Sequence, residues 1–345
     1  MIKSFQIFVL CLFAIGPLTQ HPKGSFANDA SNTRLETSDL SAAANARPDL
    51  TPNPSTQPAI ASSQPSTKSD PRVIIISIDG LRPDLALRAK MPNLRSAMES
   101  GSFSFWARTT PLAITLPSHT SMLTGVIPRK HEIEWNKDLK LVEPVYPSFP
   151  TLFEVAHARG YSTAMVAGKS KFNTLAKPGT LDWNWIAPTS TAGDAEVVKN
   201  AIAIMQKNKP QVLFVHLPGT DNAGHAIGWG SANQISAIEN ADSAIGELFT
   251  VLDELQLRKQ TTVFITADHG GAGRTHVPDD ARSRHIPWIA VGPGIRKNVD
   301  LTTIADLTIN TEDTFATACF VLKIPVKKEI DGKPIKEIFD GELIH

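Results

Sequence analysis

The 345-residue chain is poor in cysteine, has no net charge, and lacks any apolar run long enough to cross a bilayer. Each absence excludes something. Its two cysteines are Cys11 and Cys319, and Cys11 falls in a segment expected to be removed, so the mature chain can form no internal disulfide. The fold must then rest on its core and on any bound ions. Cys319, in the apolar stretch from Phe315 to Leu322, reads as packing. Without clustered cysteines a structural thiolate zinc site is excluded. Basic and acidic residues balance at 34 each, which gives neither the electrostatic footprint of a nucleic-acid-duplex binder nor an acidic tail. A span needs about 20 consecutive apolar residues, so no membrane span is expected in the mature chain. No internal repeat is present.

The N-terminus begins with the short positive region Met1-Ile2-Lys3, followed by a mostly apolar run from Phe5 to Leu18 and by Ser25-Phe26-Ala27. That order is the pattern of a cleaved secretory signal peptide, residues 1–27. Leu10 before Cys11 lacks the small side chain that a lipoprotein site requires. The expected location is therefore periplasmic or extracellular. Residues 28–70 are rich in Ser, Thr, Ala and Pro, with too few large apolar groups to offset their ordering entropy. They read as a disordered linker, leaving 71–345 as the catalytic domain. There the β-branched run Val73 to Ile78 reads as a strand buried on both faces. Further strands are expected at Ser162–Ala167, Val212–His216, Thr262–Ala267 and Ile286–Val291. Helical patterns at Thr151–Ala158, Asp194–Gln206, Ala232–Leu255 and around Asp313–Leu322 separate or follow them. Alternation of this kind implies an α/β fold, a mostly parallel sheet covered on both faces, with ligands at the carboxyl ends of its strands.

Those ends carry oxygen and imidazole ligands. Asp79 follows the first strand, Asp221 and His225 follow the strand ending near His216, and Asp268-His269 follows the strand ending at Ala267, with His276 a little beyond. Such donors suit zinc or another divalent cation. Each also has a plainer reading: Asp79-Gly80 as a turn, Asp221 and His225 as an i,i+4 pair, Asp268 to Gly271 as a loop. Three aspartates and three histidines at strand ends that should converge favour a metal site over these separate explanations.

Between the first two strands lies Thr115-Leu116-Pro117-Ser118-His119, running on to Thr124-Gly125. Pro117 suits the first position of a helix and Gly125 its end, which puts Thr115 at or just before the cap. Taken alone, Thr115 is an ordinary N-cap. Beside the six ligands it is a candidate nucleophile, since free N–H groups at a helix start favour a phosphate and a bound dication can lower the pKa of a threonine hydroxyl.

Together these segments resemble the alkaline phosphatase superfamily, in particular its type I phosphodiesterase/nucleotide pyrophosphatase branch. The resemblance rests on Ile76-Ser77-Ile78-Asp79-Gly80, Thr115 to His119, Thr124-Gly125, Asp221-Asn222-Ala223-Gly224-His225, Ala267-Asp268-His269-Gly270, and the stretch from His276 through Ile286-Pro287-Trp288 to Gly292-Pro293-Gly294. It implies a three-layer alkaline-phosphatase-like sandwich with two Zn2+. One ion would be held by Asp79, Asp268 and His269 together with Thr115, the other by Asp221, His225 and His276. Asn136, which matches the position of a family asparagine after the nucleophile, would hold a phosphoryl oxygen. The resemblance further implies a hydrolase acting through phospho-threonine on a small phosphate ester such as a nucleotide.

The chain departs from the family at Ser118, where Asn is common, and at Glu132, where Gly is common. His285 competes with His276 for the last ligand place; the distance from His276 to Gly292-Pro293 favours His276. Lys169-Ser170-Lys171 resembles the phosphate-binding Lys-x-Arg of some superfamily monoesterases, and the extra charge of a monoester dianion would gain from two lysines; solvated surface lysines are the plainer reading. Phosphodiesterase chemistry is favoured and phosphomonoesterase is the alternative. A sulfatase fits less well, because His119 stands where its motif has Arg. A phosphotransferase of the usual kind would carry several membrane spans. A non-catalytic binding protein would not need every first ligand in place. The stretches Trp135–Tyr146 and Trp183–Trp185 could stack a base.

Overall fold

The computed structural model describes residues 70–341 apart from 140–143, 190 and 327. The export signal, and the linker up to residue 69, lie outside the described residues. Among the described residues, eight strands form one sheet: β1 (Arg72–Ile78), β2 (Ser102–Arg108), β3 (Thr163–Ala167), β4 (Trp183–Ile186), β5 (Val212–Leu217), β6 (Thr261–Thr266), β7 (His285–Val291) and β8 (Val299–Asp300). Their order is β4-β3-β5-β1-β6-β7-β2-β8. Pairing is parallel except where β7 meets β6 and β2.

The apolar content of each strand accounts for its place. Val73 to Ile78 are all buried, as are all residues of β5 and β6, and these three lie side by side at the middle of the sheet. Each fully buried Val, Ile, Leu or Phe contributes about 1.5–3 kcal/mol. The strand SFSFWAR alternates buried and accessible residues, and Trp106 is 60% exposed. Together with the four-residue β4, it adds strands that the sequence expectations did not include.

Among the described residues, ten α-helices surround the sheet: α1 (Pro83–Arg88), α2 (Pro92–Glu99), α3 (Thr115–Thr124), α4 (Pro128–His131), α5 (Leu152–His157), α6 (Asp194–Asn208), α7 (Gly219–Ile227), α8 (Ala232–Glu254), α9 (Ala281–Arg284) and α10 (Asp313–Val321). One group, α3, α5 and α10, packs mutually; α1, α2, α6 and α7 pack on α8. The result is the expected three-layer arrangement. Thr151 and Glu154 form a capping box that starts α5, and the Ser231 side chain caps α8. Trp288, fully buried on β7, donates its indole N–H to Thr314 Oγ1 on α10 at 3.1 Å, tying that helix to the sheet. Cys319 is buried there, and burial pushes its thiol up to about 12, in keeping with a packing role.

One local expectation is corrected. Helix α3 begins at Thr115 itself, with Ile114 as the cap residue, so Pro117 is the third helical residue. N–H groups of the first turn have no intrahelical acceptor in any case, so proline costs nothing there. Gly125 ends the helix with φ +73°, and a Cβ there would meet Phe315 at 2.5 Å.

Candidate metal centre and nucleophile

Parallel pairing brings the carboxyl ends of β5, β1 and β6 side by side, and the sequence-predicted ligands gather there. Asp79 leaves β1 into a turn whose next residue, Gly80, has φ +74°. A Cβ on Gly80 would lie 3.1 Å from the Asp221 backbone, so the glycine also allows the end of β1 to approach the helix that carries Asp221. The Gly80 N–H donates to Asp268 Oδ1 at 3.1 Å. Asp79 and Asp268 are thus both in a turn and in the site.

His269 Nε2 is the hub. It lies 3.3 Å from Asp268 Oδ2, 3.4 Å from Asp79 Oδ1, 4.0 Å from Asp221 Oδ1 and 3.4 Å from Thr115 Oγ1. One turn along α7 from Asp221, His225 places Nε2 at 3.3 Å from Asp221 Oδ1. The His276 ring sits 4.0 Å from that of His269 and 5.1 Å from that of His225. Two groups of potential ligand atoms result, Asp221–His225–His276 and Asp79–Asp221–His269. His285 is elsewhere, stacked on Trp106 with ring centres 3.8 Å apart.

The donor chemistry fits dications. Asp79 Oδ1, Asp221 Oδ1 and Asp268 Oδ2 are buried and, among the described residues, without a hydrogen-bond partner. Nδ1 of His225 faces the Arg274 carbonyl at 3.0 Å, and Nδ1 of His269 faces the Gly270 carbonyl at 2.8 Å. Each Nδ1–H donating to its carbonyl leaves the Nε2 lone pair free for a metal. Charge crowding points the same way. Burial, then the neighbouring Asp79 and Asp221 charges, drive the Asp268 carboxyl well above the usual carboxylate range. Burial also opposes ionisation of Asp79, but Lys169 followed by His216 outweighs it and holds that carboxyl well below the usual range. Burial, then the charge of His269, lowers His276 to about 4, so its imidazole is neutral near pH 7.

Thr115 is 1% exposed, at the first position of α3. The next N–H, that of Leu116, donates to Asn136 Oδ1 at 3.0 Å, and Lys171 Nζ donates to the same oxygen at 2.9 Å. Asn136 is therefore anchored through its oxygen, with its Nδ2 donors facing no acceptor among the described residues. Lys169 is not on the surface. It is 6% exposed, and its ammonium donates to Asp79 Oδ2 at 2.6 Å and Asp221 Oδ2 at 2.5 Å.

Two residues belong to this site that the sequence reading did not assign to it. His216 pairs in register with Ser77 across β5 and β1 and places Nε2 at 2.9 Å from Asp79 Oδ2. His119, one turn after Thr115, bridges the Thr115 carbonyl (Nδ1, 2.8 Å) and Ser77 Oγ (Nε2, 2.7 Å), and its Nδ1 lies 3.4 Å from Asp268 Oδ2. The one available signal was an imidazole inside an apolar strand, VLFVHL, and another inside a buried helix. Ser118 Oγ accepts from Thr109 Oγ1 at 2.9 Å, and Glu132 holds φ +66°, a left-handed backbone that glycine adopts more readily. Of the two aromatic stretches, part of Trp135–Tyr146 falls on residues 140–143, outside the described residues, and Trp183–Trp185 forms the edge strand β4.

With this geometry in hand, comparison with known proteins gives the family. The type I phosphodiesterase/nucleotide pyrophosphatase pattern matches residues 73–281, more than half the chain. The chain belongs to that family. It is 27% identical over 220 residues to an uncharacterized pyrophosphatase/phosphodiesterase of Schizosaccharomyces pombe, covering 58% of this chain and 44% of that protein. It is 24% identical over 293 residues to a bis(5'-adenosyl)-triphosphatase of Xenopus laevis, covering 78% and 62%. The chain thus spans about half to three-fifths of these relatives. Among solved structures it resembles an inactive threonine-to-alanine variant of murine ectonucleotide pyrophosphatase/phosphodiesterase 5 in complex with AMP, with a TM-score of 0.66, 14% identity, and coverage of 79% of this chain and 100% of that one. It also resembles a putative sulfatase from Bacteroides thetaiotaomicron (TM-score 0.65, 16% identity, 78% and 75% coverage). Both likenesses are of fold. Among the described residues no helix is long and apolar enough to cross a membrane.

Proposed function

We propose that this family member is an exported phosphoric ester hydrolase that uses Thr115 as nucleophile beside two divalent cations, with phosphodiesters or pyrophosphates of nucleotide type as substrates. The observation that carries this reading is the convergence of three unpartnered carboxylate oxygens and three imidazoles within reach of the Thr115 hydroxyl, which stands 3.4 Å from His269 Nε2. Asp79, Asp268 and His269, with Thr115, would hold one ion; Asp221, His225 and His276 would hold the other. When bound, two zinc ions would supply Lewis-acid stabilisation of the attacking and departing oxygens.

The chain's own groups do the rest. Thr115 Oγ donates an electron pair to phosphorus, forming the Oγ–P bond as the ester P–O bond breaks and the alcohol leaves with a proton. Water then cleaves Oγ–P, restoring the threonine and releasing the phosphate product. Asn136, anchored by Leu116 N–H and Lys171, offers Nδ2 to a non-bridging phosphoryl oxygen as charge builds. His119 ties the Thr115 carbonyl through Nδ1 to Ser77 Oγ on β1 through Nε2, bracing the backbone of the nucleophile against the strand that carries Asp79.

Lys169, paired with Asp79 and Asp221, leaves Lys171 as the lysine beside Asn136. With Lys169 held by the two carboxylates, the extra gain that two lysines would give a monoester dianion is reduced. The murine neighbour, whose inactive form lacks a threonine and holds AMP, supports a threonine nucleophile and a nucleotide ligand. The test is hydrolysis of bis-p-nitrophenyl phosphate and p-nitrophenyl phosphate, with zinc and after chelation. We expect the diester to be cleaved faster and chelation to stop both. Turnover that survives exhaustive chelation would sink the two-metal reading.

A further inference from the structure

We propose that Lys169 is a positioning residue, a fixed ammonium clamp that binds one carboxylate from each metal-ligand set and turns the free oxygens of both toward the cations. The inference rests on the two-metal reading above.

Its basis is a division of labour between oxygens. Lys169 Nζ contacts Oδ2 of Asp79 and Oδ2 of Asp221, at 2.6 and 2.5 Å. In both residues Oδ1 is the buried atom without a partner among the described residues. Asp79 Oδ1 lies 3.4 Å from His269 Nε2, and Asp221 Oδ1 lies 3.3 Å from His225 Nε2. Each carboxylate therefore gives one oxygen to the lysine and presents the other among the imidazole lone pairs. Lys169 need not move for ions to enter. It also links the Asp221–His225–His276 set to the Asp79–Asp268–His269 set through a single nitrogen, which fixes the separation of the two carboxylates.

The lysine is itself held. Its backbone bridges to Thr191, its carbonyl accepts from Phe172 N–H at 3.2 Å, and the preceding Gly168 N–H donates to the His216 carbonyl at 3.3 Å. The same strand end that supplies His216 to Asp79 thus anchors the segment that supplies Lys169. Two of the three ammonium donors are occupied by the carboxylates, so phosphate recognition is not its main task here. Outer contacts of this kind typically carry a 10- to 100-fold effect on metal affinity.

Zinc titration by calorimetry into the chelator-stripped full chain tests the clamp, with Lys169→Met, Lys169→Gln and Lys169→Arg beside the wild type. We expect Lys169→Met to weaken zinc binding about 10- to 100-fold, Lys169→Arg to recover most of it, and monoester and diester rates to fall together at limiting zinc. Lys169→Gln carries the measurement if the methionine variant does not fold, as judged by circular dichroism. Zinc binding that is unchanged or tighter in the neutral variants overturns the clamp: unchanged binding with a KM rise confined to the monoester makes Lys169 a phosphate ligand, and tighter binding makes it a competitor of the metal. A wild-type chain that binds no zinc overturns the clamp and the two-metal reading together, whereas a wild type that binds two ions beside an unaffected Lys169→Met overturns the clamp alone.

Discussion

The two proposed ligand sets are built in opposite ways. Asp221 and His225 share one turn of α7, and His276 joins them from a nearby loop; the His225 side chain is 44% exposed. Asp79, Asp268 and His269 come from the ends of two different strands, and all three side chains are fully buried. The first group is local and open. Helical spacing brings two of its three members together, and His276 has only to reach them from its loop. The second is deep and depends on the sheet. Its two acids crowd each other and Asp221 around one buried lysine, driving the Asp268 carboxyl up, so this half should gain stability as well as chemistry from bound ions.

The largest effect expected lies where the deep half meets the substrate. Thr115→Ala should lower turnover of bis-p-nitrophenyl phosphate by at least about 1,000-fold, with zinc content by plasma emission nearly unchanged. Retained turnover would falsify the nucleophile assignment. Next in size, the two halves should respond differently to loss of a ligand. His276→Ala or His225→Ala should cost one zinc per chain and most of the rate while leaving the circular dichroism spectrum intact. Asp268→Asn should lower zinc content and, in addition, change the melting behaviour, because the amide still accepts the Gly80 N–H but takes a buried carboxylate away from beside Asp79 and Asp221. Equal melting temperatures for His225→Ala and Asp268→Asn with zinc present would erase the contrast.

A smaller effect concerns the base of the open half. Asp194 accepts the Gly219 N–H at the start of α7 at 2.8 Å, and burial raises its carboxyl to about 6, with that hydrogen bond opposing. A carboxyl whose folded pKa lies above its unfolded one binds its proton more tightly in the fold. Its contribution therefore stabilises below about pH 4 and is lost as pH rises through about 6. Asp194→Asn should flatten this dependence. Relative to wild type it should gain about 1 kcal/mol at pH 7.5 and nothing at pH 3.5, read from urea midpoints. The smallest change is outside both halves: Glu132→Gly relieves a left-handed backbone and should alter stability by no more than about 1 kcal/mol, with kinetics unchanged.

How far the sequence reached differs along the same line. The proximity of Asp221 and His225 was legible from their i,i+4 spacing. The convergence of Asp79, Asp268 and His269 was legible because buried β-branched runs mark their strands, and in a parallel sheet the ends collect on one side. His216 and His119 were not, because an imidazole in an apolar strand or helix looks the same whether it packs or braces a carboxylate; only the register of Ser77 with His216 brings it to Asp79. Lys169 was legible as a cation near the site but not as a partner of two acids, since that requires β3, β1 and α7 to be set in space together. β2 and β4, short or with accessible aromatics, lack the fully apolar texture that marked the central strands.

By itself, the sequence determined the α/β class, the order of the central elements and the residue types gathered at their carboxyl ends, because these follow from periodicity and from donor chemistry along the chain. Tertiary structure alone decided which oxygen of each carboxylate faces which neighbour, and that Lys169 binds acids from two separate elements. Those outcomes depend on distances of a few ångströms between segments more than fifty residues apart, and such distances are set by the packing of the whole sheet and its helices.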